Sequence, residues 1–104
     1  MIVPYNLQYD KQQMSFGDEI MYKNRAADGA NNICGRKVKQ YREALPARPS
    51  QKGLADLLQL EGLDIDKNAV QRIESGQRFV TDIELRVLAK VLGVSYSDLL
   101  DEQK

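Results

Sequence analysis

Residues 66–76, with the sequence DKNAVQRIESG, decide how the rest of the chain is interpreted. Asp66 is a favourable N-cap residue and Gly76 a common helix stop, so a helix is predicted over residues 67–75. At about 100° per residue, three apolar side chains share one face of this helix: Ala69, Val70 and Ile73. Five polar side chains share the opposite face: Lys67, Asn68, Gln71, Arg72 and Ser75. The pattern predicts a short amphipathic helix whose polar face is turned outward.

The outer face of this helix carries side chains suited to the edges of DNA bases. Lys and Arg donate hydrogen bonds to guanine, and Asn and Gln pair with adenine. Glu74 is expected beside the apolar stripe, so the outer face lacks carboxylates. The same residues also fit an ordinary solvated helix face, and by themselves they leave both interpretations open.

Two helices are predicted before this segment. The first follows Asn31 or Asn32, either of which can cap it, and its apolar residues recur at spacings of four, three and four: Cys34, Val38, Tyr41 and Leu45. The second is predicted over residues 51–59, capped by Ser50, with a buried stripe formed by Leu54, Leu57 and Leu58. A loop over residues 60–65 then follows, in which Gly62 is the expected left-handed residue. Three apolar side chains of the loop are expected to fold back on the core: Leu60, Leu63 and Ile65.

Two further helices are predicted after residue 76. Thr81 and Glu84 form a capping box for the first of them, which Gly93 ends. Its expected apolar set is Ile83, Val87, Leu88, Val91 and Leu92. Ser95 and Asp98 resemble a second capping box that opens a short last helix, and Phe79 is expected in the core. The sequence thus predicts an all-α domain of five short helices over residues 31–104. Residues 1–30 show no sustained period and are interpreted as a loosely ordered, flexible N-terminal extension.

Composition narrows the possible functions. The chain has 104 residues, no histidine and one cysteine, Cys34, so an internal disulfide is impossible and no metal site or other cofactor is expected. The absence of histidine removes the commonest general base, and no other catalytic cluster stands out, so an enzyme is not expected. There is no apolar run of membrane-spanning length and no secretory signal pattern. A cytoplasmic protein without a membrane partner is therefore expected.

The net charge is zero, but the charges are unevenly distributed. Between residues 36 and 52 there is one acid, Glu43, against six cations: Arg36, Lys37, Lys39, Arg42, Arg48 and Lys52. A local basic face that attracts phosphates is compatible with a neutral protein. A solvated, charged helix is equally compatible with this run.

The order of these features resembles a known family. The similar residues in the first two helices are Gly35-Arg36-Lys37-Val38, Arg42, Ser50-Gln51 and Leu54-Ala55. Those in the later helices are Ala69 to Gly76, Leu85, Leu88-Ala89-Lys90, Leu92 to Ser95 and Asp98-Leu99-Leu100. Together, residues 33–100 resemble the phage-repressor and Cro-type helix-turn-helix family, also called the xenobiotic-response-element family. The resemblance implies a compact repressor-like helix-turn-helix fold and a sequence-specific transcriptional regulator, a repressor in character, that binds double-stranded DNA.

The sequence departs from the family pattern in two connections. The link over residues 44–49 is slightly long. The connection between the second and third helices is about five residues longer than the family's usual turn, and the extra length falls in residues 60–64.

Residue roles follow from this resemblance. Gln51 is similar to the family's phosphate anchor at a helix N-terminus. Lys67, Asn68 and Arg72 match positions that face base edges, and Gln71 is a further candidate. Arg78, just past the reading helix, is expected to touch the DNA backbone. For each of these residues, a solvated surface side chain is the alternative. Arg42 and Glu74 match a structural ion pair between the first helix and the reading helix.

Other partners remain open at this stage. Many proteins of this family bind as symmetric dimers, so a homodimer is compatible with the resemblance. A protein-binding module on the same fold, antitoxin-like or bridging-factor-like, is the alternative function, and the neutral net charge keeps it open.

Overall fold

The computed structural model describes residues 25–102, which form five α-helices and no strand. The helices are α1 (Gly35–Ala44), α2 (Gln51–Leu60), α3 (Lys67–Glu74), α4 (Asp82–Leu92) and α5 (Tyr96–Leu100). The predicted all-α class is therefore confirmed. The expectation of a flexible extension concerns mainly residues 1–24, which lie outside the described residues. Within the described range, no helix combines the length and apolar character needed to cross a membrane.

Short polar side chains fix where the helices begin. Ser50 Oγ accepts a hydrogen bond from the Gly53 amide at 3.0 Å, and Asp66 Oδ1 accepts one from the Ala69 amide at 2.8 Å. Thr81 and Glu84 form the capping box of α4, and Ser95 and Asp98 form that of α5. A capped first turn satisfies amides that would otherwise lack partners, which stabilises a helix by about 1 kcal/mol. Four of the five helix starts thus follow from local sequence.

A single core joins the helices. α3 packs against α1 and α2, α4 packs against the same two helices, and α5 packs against α1 and α4. The side chains that are almost fully buried are Cys34, Val38, Leu54, Leu58, Ile65, Val70, Ile73, Leu88 and Leu99. Cys34 is accordingly a core residue, and burial raises the pKa of its thiol. Because α3 contributes only eight residues, its position depends on the helices beneath it.

Four apolar side chains expected inside are exposed. Leu57 is 37% exposed and Phe79 44%, while Ile83 is 68% and Leu60 82% exposed. In α2 the buried stripe is formed by Leu54, Ala55 and Leu58, and it turns Leu57 to the edge. Ile83 lies in the first turn of α4, whereas the buried residues of this helix lie in its later turns, among them Leu88 and Leu92. In both α2 and α4, helical periodicity identified the apolar face but included an exposed residue at its edge.

The long connection between α2 and α3 is anchored at both ends. Gly62 has a φ of 89°, and the amides of Gly62 and Leu63 donate to the carbonyls of Gln59 and Leu58 at 2.9 and 3.0 Å. The turn therefore closes α2 in a left-handed C-terminal cap. Further on, Ile65 is buried in the core and its carbonyl accepts a hydrogen bond from Gln59 Nε2 at 2.9 Å. The extra residues thus form an anchored loop, although Leu60 points away from the core.

Candidate nucleic-acid interface

The polar face of α3 is accessible along its whole length. Lys67, Asn68, Gln71 and Arg72 are all exposed, and their side chains form no hydrogen bond or ion pair with another group in residues 25–102. The opposite side of α3 is buried through Ala69, Val70 and Ile73. The buried face fixes the rotation of the helix, so the four polar side chains remain available for a ligand.

Acids border this face at one end. Asp64 and Asp66 are exposed and directly precede α3, and the carboxylate of Asp66 is engaged in capping the helix. Lys67 and Arg72 supply the positive charge of the face itself. A phosphate backbone that passed close to Asp64 would be repelled.

A buried ion pair joins α1 to α3. Arg42 Nε and Nη2 donate to the two carboxylate oxygens of Glu74 at 2.7 and 3.0 Å. The side chains are 10% and 3% exposed, respectively, and hydrogen bonding to Glu74 raises the pKa of Arg42. Arg42 Nη1 also donates to the Pro49 carbonyl at 3.0 Å, which ties in the link between α1 and α2. The paired geometry expected for Arg42 and Glu74 is present, and it removes Arg42 from the exposed basic run.

Gln51 belongs to the same junction. Its Nε2 donates to Glu74 Oε1 at 3.0 Å, so its side-chain amide nitrogen is used inside the protein. Its backbone amide lies in the first turn of α2, where helix amides lack intrahelical partners. A phosphate contact by Gln51 would therefore be made by the backbone amide, with the side chain serving to orient Glu74.

Arg78 lies just past α3, as expected, and its side chain is paired within the protein, while its contact with the DNA backbone stays a prediction. Its Nη1 and Nη2 donate to the two carboxylate oxygens of Glu84 at 2.8 and 3.0 Å. Glu84 also accepts from the Thr81 amide at 3.1 Å, so one carboxylate both caps α4 and holds the segment after α3. The charge of Arg78 is thereby largely neutralised, which weakens its attraction to phosphate. The capping box was visible in the sequence, but nothing in the sequence spacing signalled the second partner of Glu84.

Because of the Arg78–Glu84 pair, we expect the domain to lose stability as the pH falls. Burial raises the pKa of Glu84, but the hydrogen bonds from Arg78 and Thr81 outweigh burial and hold the pKa below its usual value of 4.5. A lowered pKa in the folded state contributes stability above pH 4.5, and that stability disappears as the pH falls through the folded-state pKa. At pH 7 we therefore expect Glu84→Gln to lose about 1 kcal/mol, and the difference from wild type to shrink below pH 4.5.

Urea unfolding of both proteins at pH values between 3 and 7 measures this difference. That range extends about one and a half units below and more than two units above the usual carboxyl pKa. Glu43→Gln is the matched control, because the Glu43 side chain is exposed and forms no hydrogen bond in residues 25–102, its charge acting on Arg42 only at longer range. A gap between wild type and Glu84→Gln that stays constant with pH would contradict the prediction.

Two asparagines before α1 fasten the C-terminal end of α3. Asn32 Nδ2 donates to the carbonyls of Ile73 and Arg78 at 3.1 and 2.7 Å, and Asn32 Oδ1 accepts from the Gly35 amide at 2.8 Å. The neighbouring Asn31 donates through its backbone amide to the Gly76 carbonyl at 2.8 Å, and through its side chain to the Gln77 carbonyl at 2.9 Å. We call Asn31 and Asn32, with these four carbonyls, the asparagine clasp.

The asparagine clasp includes hydrogen bonds beyond the helix cap that the sequence predicted. Either asparagine was a candidate cap for α1, and Asn32 does accept a hydrogen bond from the first amide of that helix. The bonds to residues more than 40 positions later in the chain had no local signal. A pair of asparagines shortly before a helix, with Asn32 three positions before Gly35, is the only hint that the sequence offers.

Comparisons of this chain with protein-family models, with curated proteins and with solved structures find no match. The interpretation of the α3 face therefore depends on its own geometry and chemistry.

Proposed function

We propose that this chain is a sequence-specific DNA-binding transcriptional regulator of the repressor-like helix-turn-helix type, and that α3 is its reading helix. The observation that carries the proposal is the row of exposed, unpartnered side chains on α3: Lys67, Asn68, Gln71 and Arg72. An α-helix with its side chains is about 10–12 Å across and fits a major groove about 12 Å wide. Binding an operator in this way would block access of other proteins to the same DNA.

The rigidity of the support favours a reading role. Sites that recognise a ligand precisely need side chains held by elements that do not shift. α3 is fixed by its buried face, by the Arg42–Glu74 pair and by the asparagine clasp. Little movement of the backbone would be needed for binding, so affinity would not be reduced by ordering the helix.

The charge distribution limits the strength of non-specific binding. The net charge is zero, and Arg42 and Arg78 are both paired with carboxylates inside the fold. Exposed cations remain in Arg36, Lys39 and Arg48. With few phosphate contacts, the decline of affinity with salt should be shallower than for strongly basic DNA-binding proteins.

Selection of bound duplexes from a random pool tests the proposal directly. Enrichment of a common motif, followed by titrations of that duplex and a scrambled one at several salt concentrations, would support sequence-specific binding. The second candidate function, a protein-binding module, is favoured by the exposed apolar side chains Leu60 and Ile83. DNA indifference at low salt would contradict the proposal and favour that second function. Sedimentation of the chain alone and with the duplex would show whether a homodimer forms.

Arg72→Ala is expected to weaken binding to the selected duplex and to relax preference at one base pair. Arg72 is exposed on the outer face one turn after Asn68, and a bidentate contact to a base discriminates by about 1–3 kcal/mol. Affinity for scrambled DNA should change less than affinity for the selected duplex, because phosphate contacts are insensitive to sequence. Titrations of both duplexes measure the two changes.

Arg86→Ala is the matched control for Arg72→Ala. Arg86 is exposed on α4 and is not part of the polar face of α3, so the variant loses the same charge without losing a proposed base contact. It should keep the preference of the wild type. If Arg72→Ala behaves like Arg86→Ala, the proposed reading face is wrong.

A further inference from the structure

The side chain of Asn32 is fully used in holding two segments together. Its amide nitrogen has two N–H groups, and each faces a carbonyl oxygen, one at Ile73 and one at Arg78. Its oxygen accepts from the Gly35 amide at the start of α1. Asp has the same shape but no donor, and Ser has only one, so neither can make this set of bonds.

The two carbonyls lie on either side of the end of the reading helix. Ile73 is in the last turn of α3, and Arg78 lies beyond Gly76, where the chain has already turned with a φ of 82°. The Arg72 carbonyl accepts from the amides of both Gln77 and Arg78, at 2.9 and 3.2 Å, so the turn closes directly onto the reading helix. Asn32 therefore connects the first amide of α1 to both sides of this turn.

α1 approaches the C-terminal end of α3 unusually closely. A Cβ on Gly35 would overlap the Ile73 carbonyl oxygen, and a Cβ on Gly76 would lie 3.0 Å from the Ala30 Cβ. At Gly35 the backbones of α1 and α3 thus meet with no side chain between them, and Gly76 packs against the Ala30 side chain in the segment before α1. Such contact leaves little freedom for the last turn of α3 to tilt or shift relative to α1.

We propose that Asn32 is a positioning residue for DNA recognition, which sets where the last turn of α3 presents Arg72. This inference depends on the proposed function, since it concerns the same reading face. Arg72 directly precedes Ile73, so a displacement of the Ile73 carbonyl also moves the Arg72 backbone. Bidentate contact with a base tolerates only a few tenths of an ångström of misplacement before one of its two hydrogen bonds lengthens. Loss of Asn32 should therefore reduce discrimination between DNA sequences, beyond any loss of stability.

Asn32→Asp tests this inference. The variant keeps the shape of the side chain but places a carboxylate against two carbonyl oxygens, which should displace the turn. At a temperature where circular dichroism shows a folded protein, the affinity ratio between selected and scrambled duplexes should fall about tenfold, equivalent to losing a good base contact. Asn32→Ala, which removes both donors without adding a charge, should lower the ratio in the same direction and serves if Asn32→Asp does not fold.

Ser95→Ala provides the control for a merely structural effect. Ser95 caps α5, and its loss destabilises the domain away from α3. The affinity ratio of this variant should equal that of the wild type once both are folded. If both Asn32 variants also keep the wild-type ratio, Asn32 has no positioning role and the inference is overturned while the proposed function stands. A wild-type protein without sequence preference would overturn the proposed function, and the inference with it.

Discussion

Gly35→Ala is expected to destabilise the domain by about 3 kcal/mol, although alanine is the better helix former. The added Cβ would overlap the carbonyl oxygen of Ile73, which belongs to the backbone of α3 and cannot rotate away. Relief requires α1 and α3 to move apart, and that movement would also stretch the hydrogen bond between Asn32 and the Ile73 carbonyl. For a domain of this size the melting temperature should fall by more than about 10 °C.

Gly53→Ala is the matched control, because it makes the same change in the first turn of α2. There the added Cβ would meet the Pro49 Cβ at 3.0 Å, a tight contact that a shift of a few tenths of an ångström relieves. The gain in helix propensity offsets that contact, so the stability should change by less than about 1 kcal/mol. Thermal unfolding followed by circular dichroism compares the two variants. A melting temperature for Gly35→Ala equal to that of the wild type would show that α1 and α3 are not in backbone contact.

The second large effect is expected for Arg42→Ala, at about 3 kcal/mol. The variant would leave the Glu74 carboxylate buried with Gln51 as its remaining side-chain donor, and it would leave the Pro49 carbonyl without its Arg42 donor. Burying an unpaired charge is far more costly than the loss of an exposed ion pair. Because the pair is shielded from solvent, added salt should not reproduce the effect in the wild-type protein.

Two further variants distinguish the loss of an ion pair from the burial of an unpaired charge. Lys52→Ala breaks the exposed pair with Asp56, whose side chains are 70% and 55% exposed, and should cost no more than about 0.5 kcal/mol. Combining Arg42→Met with Glu74→Leu removes both buried charges, so the double variant should be more stable than Arg42→Ala. Urea unfolding measures all four proteins. If Arg42→Ala lowers the free energy of unfolding by no more than Lys52→Ala does, the Arg42–Glu74 pair stabilises the domain no more than an exposed ion pair.

The sequence predicted those parts of the fold that depend on neighbouring residues. Ser50, Asp66 and Thr81 begin their helices as expected because a cap acts on amides only two or three positions away. The left-handed turn at Gly62 was also predicted, since a positive φ favours glycine for steric reasons, and Gly93 ends α4 as expected. The third helix was expected to include Ser75, which instead caps its end.

Features that depend on packing between distant segments were less predictable. Ile83 fits an apolar helical stripe, yet it is 68% exposed, although Glu84 in the same turn is covered by Arg78. The pairing of Arg78 with Glu84 needs the turn after α3 to fold back on α4, which no periodicity describes. The buried pair of Arg42 and Glu74 was expected only through resemblance to a family, because the two residues lie 32 positions apart.

The asparagine clasp also determines how α3 opens. The last carbonyls of a helix usually fray, because water competes for groups that have no intrahelical donor. Here the carbonyls of Ile73, Gly76, Gln77 and Arg78 accept from two residues that precede α1. Fraying of the helix end therefore requires the contact between the segment before α1 and the turn after α3 to break first. Amide hydrogens at the end of α3 should therefore exchange with solvent in the same cooperative event as those at the start of α1.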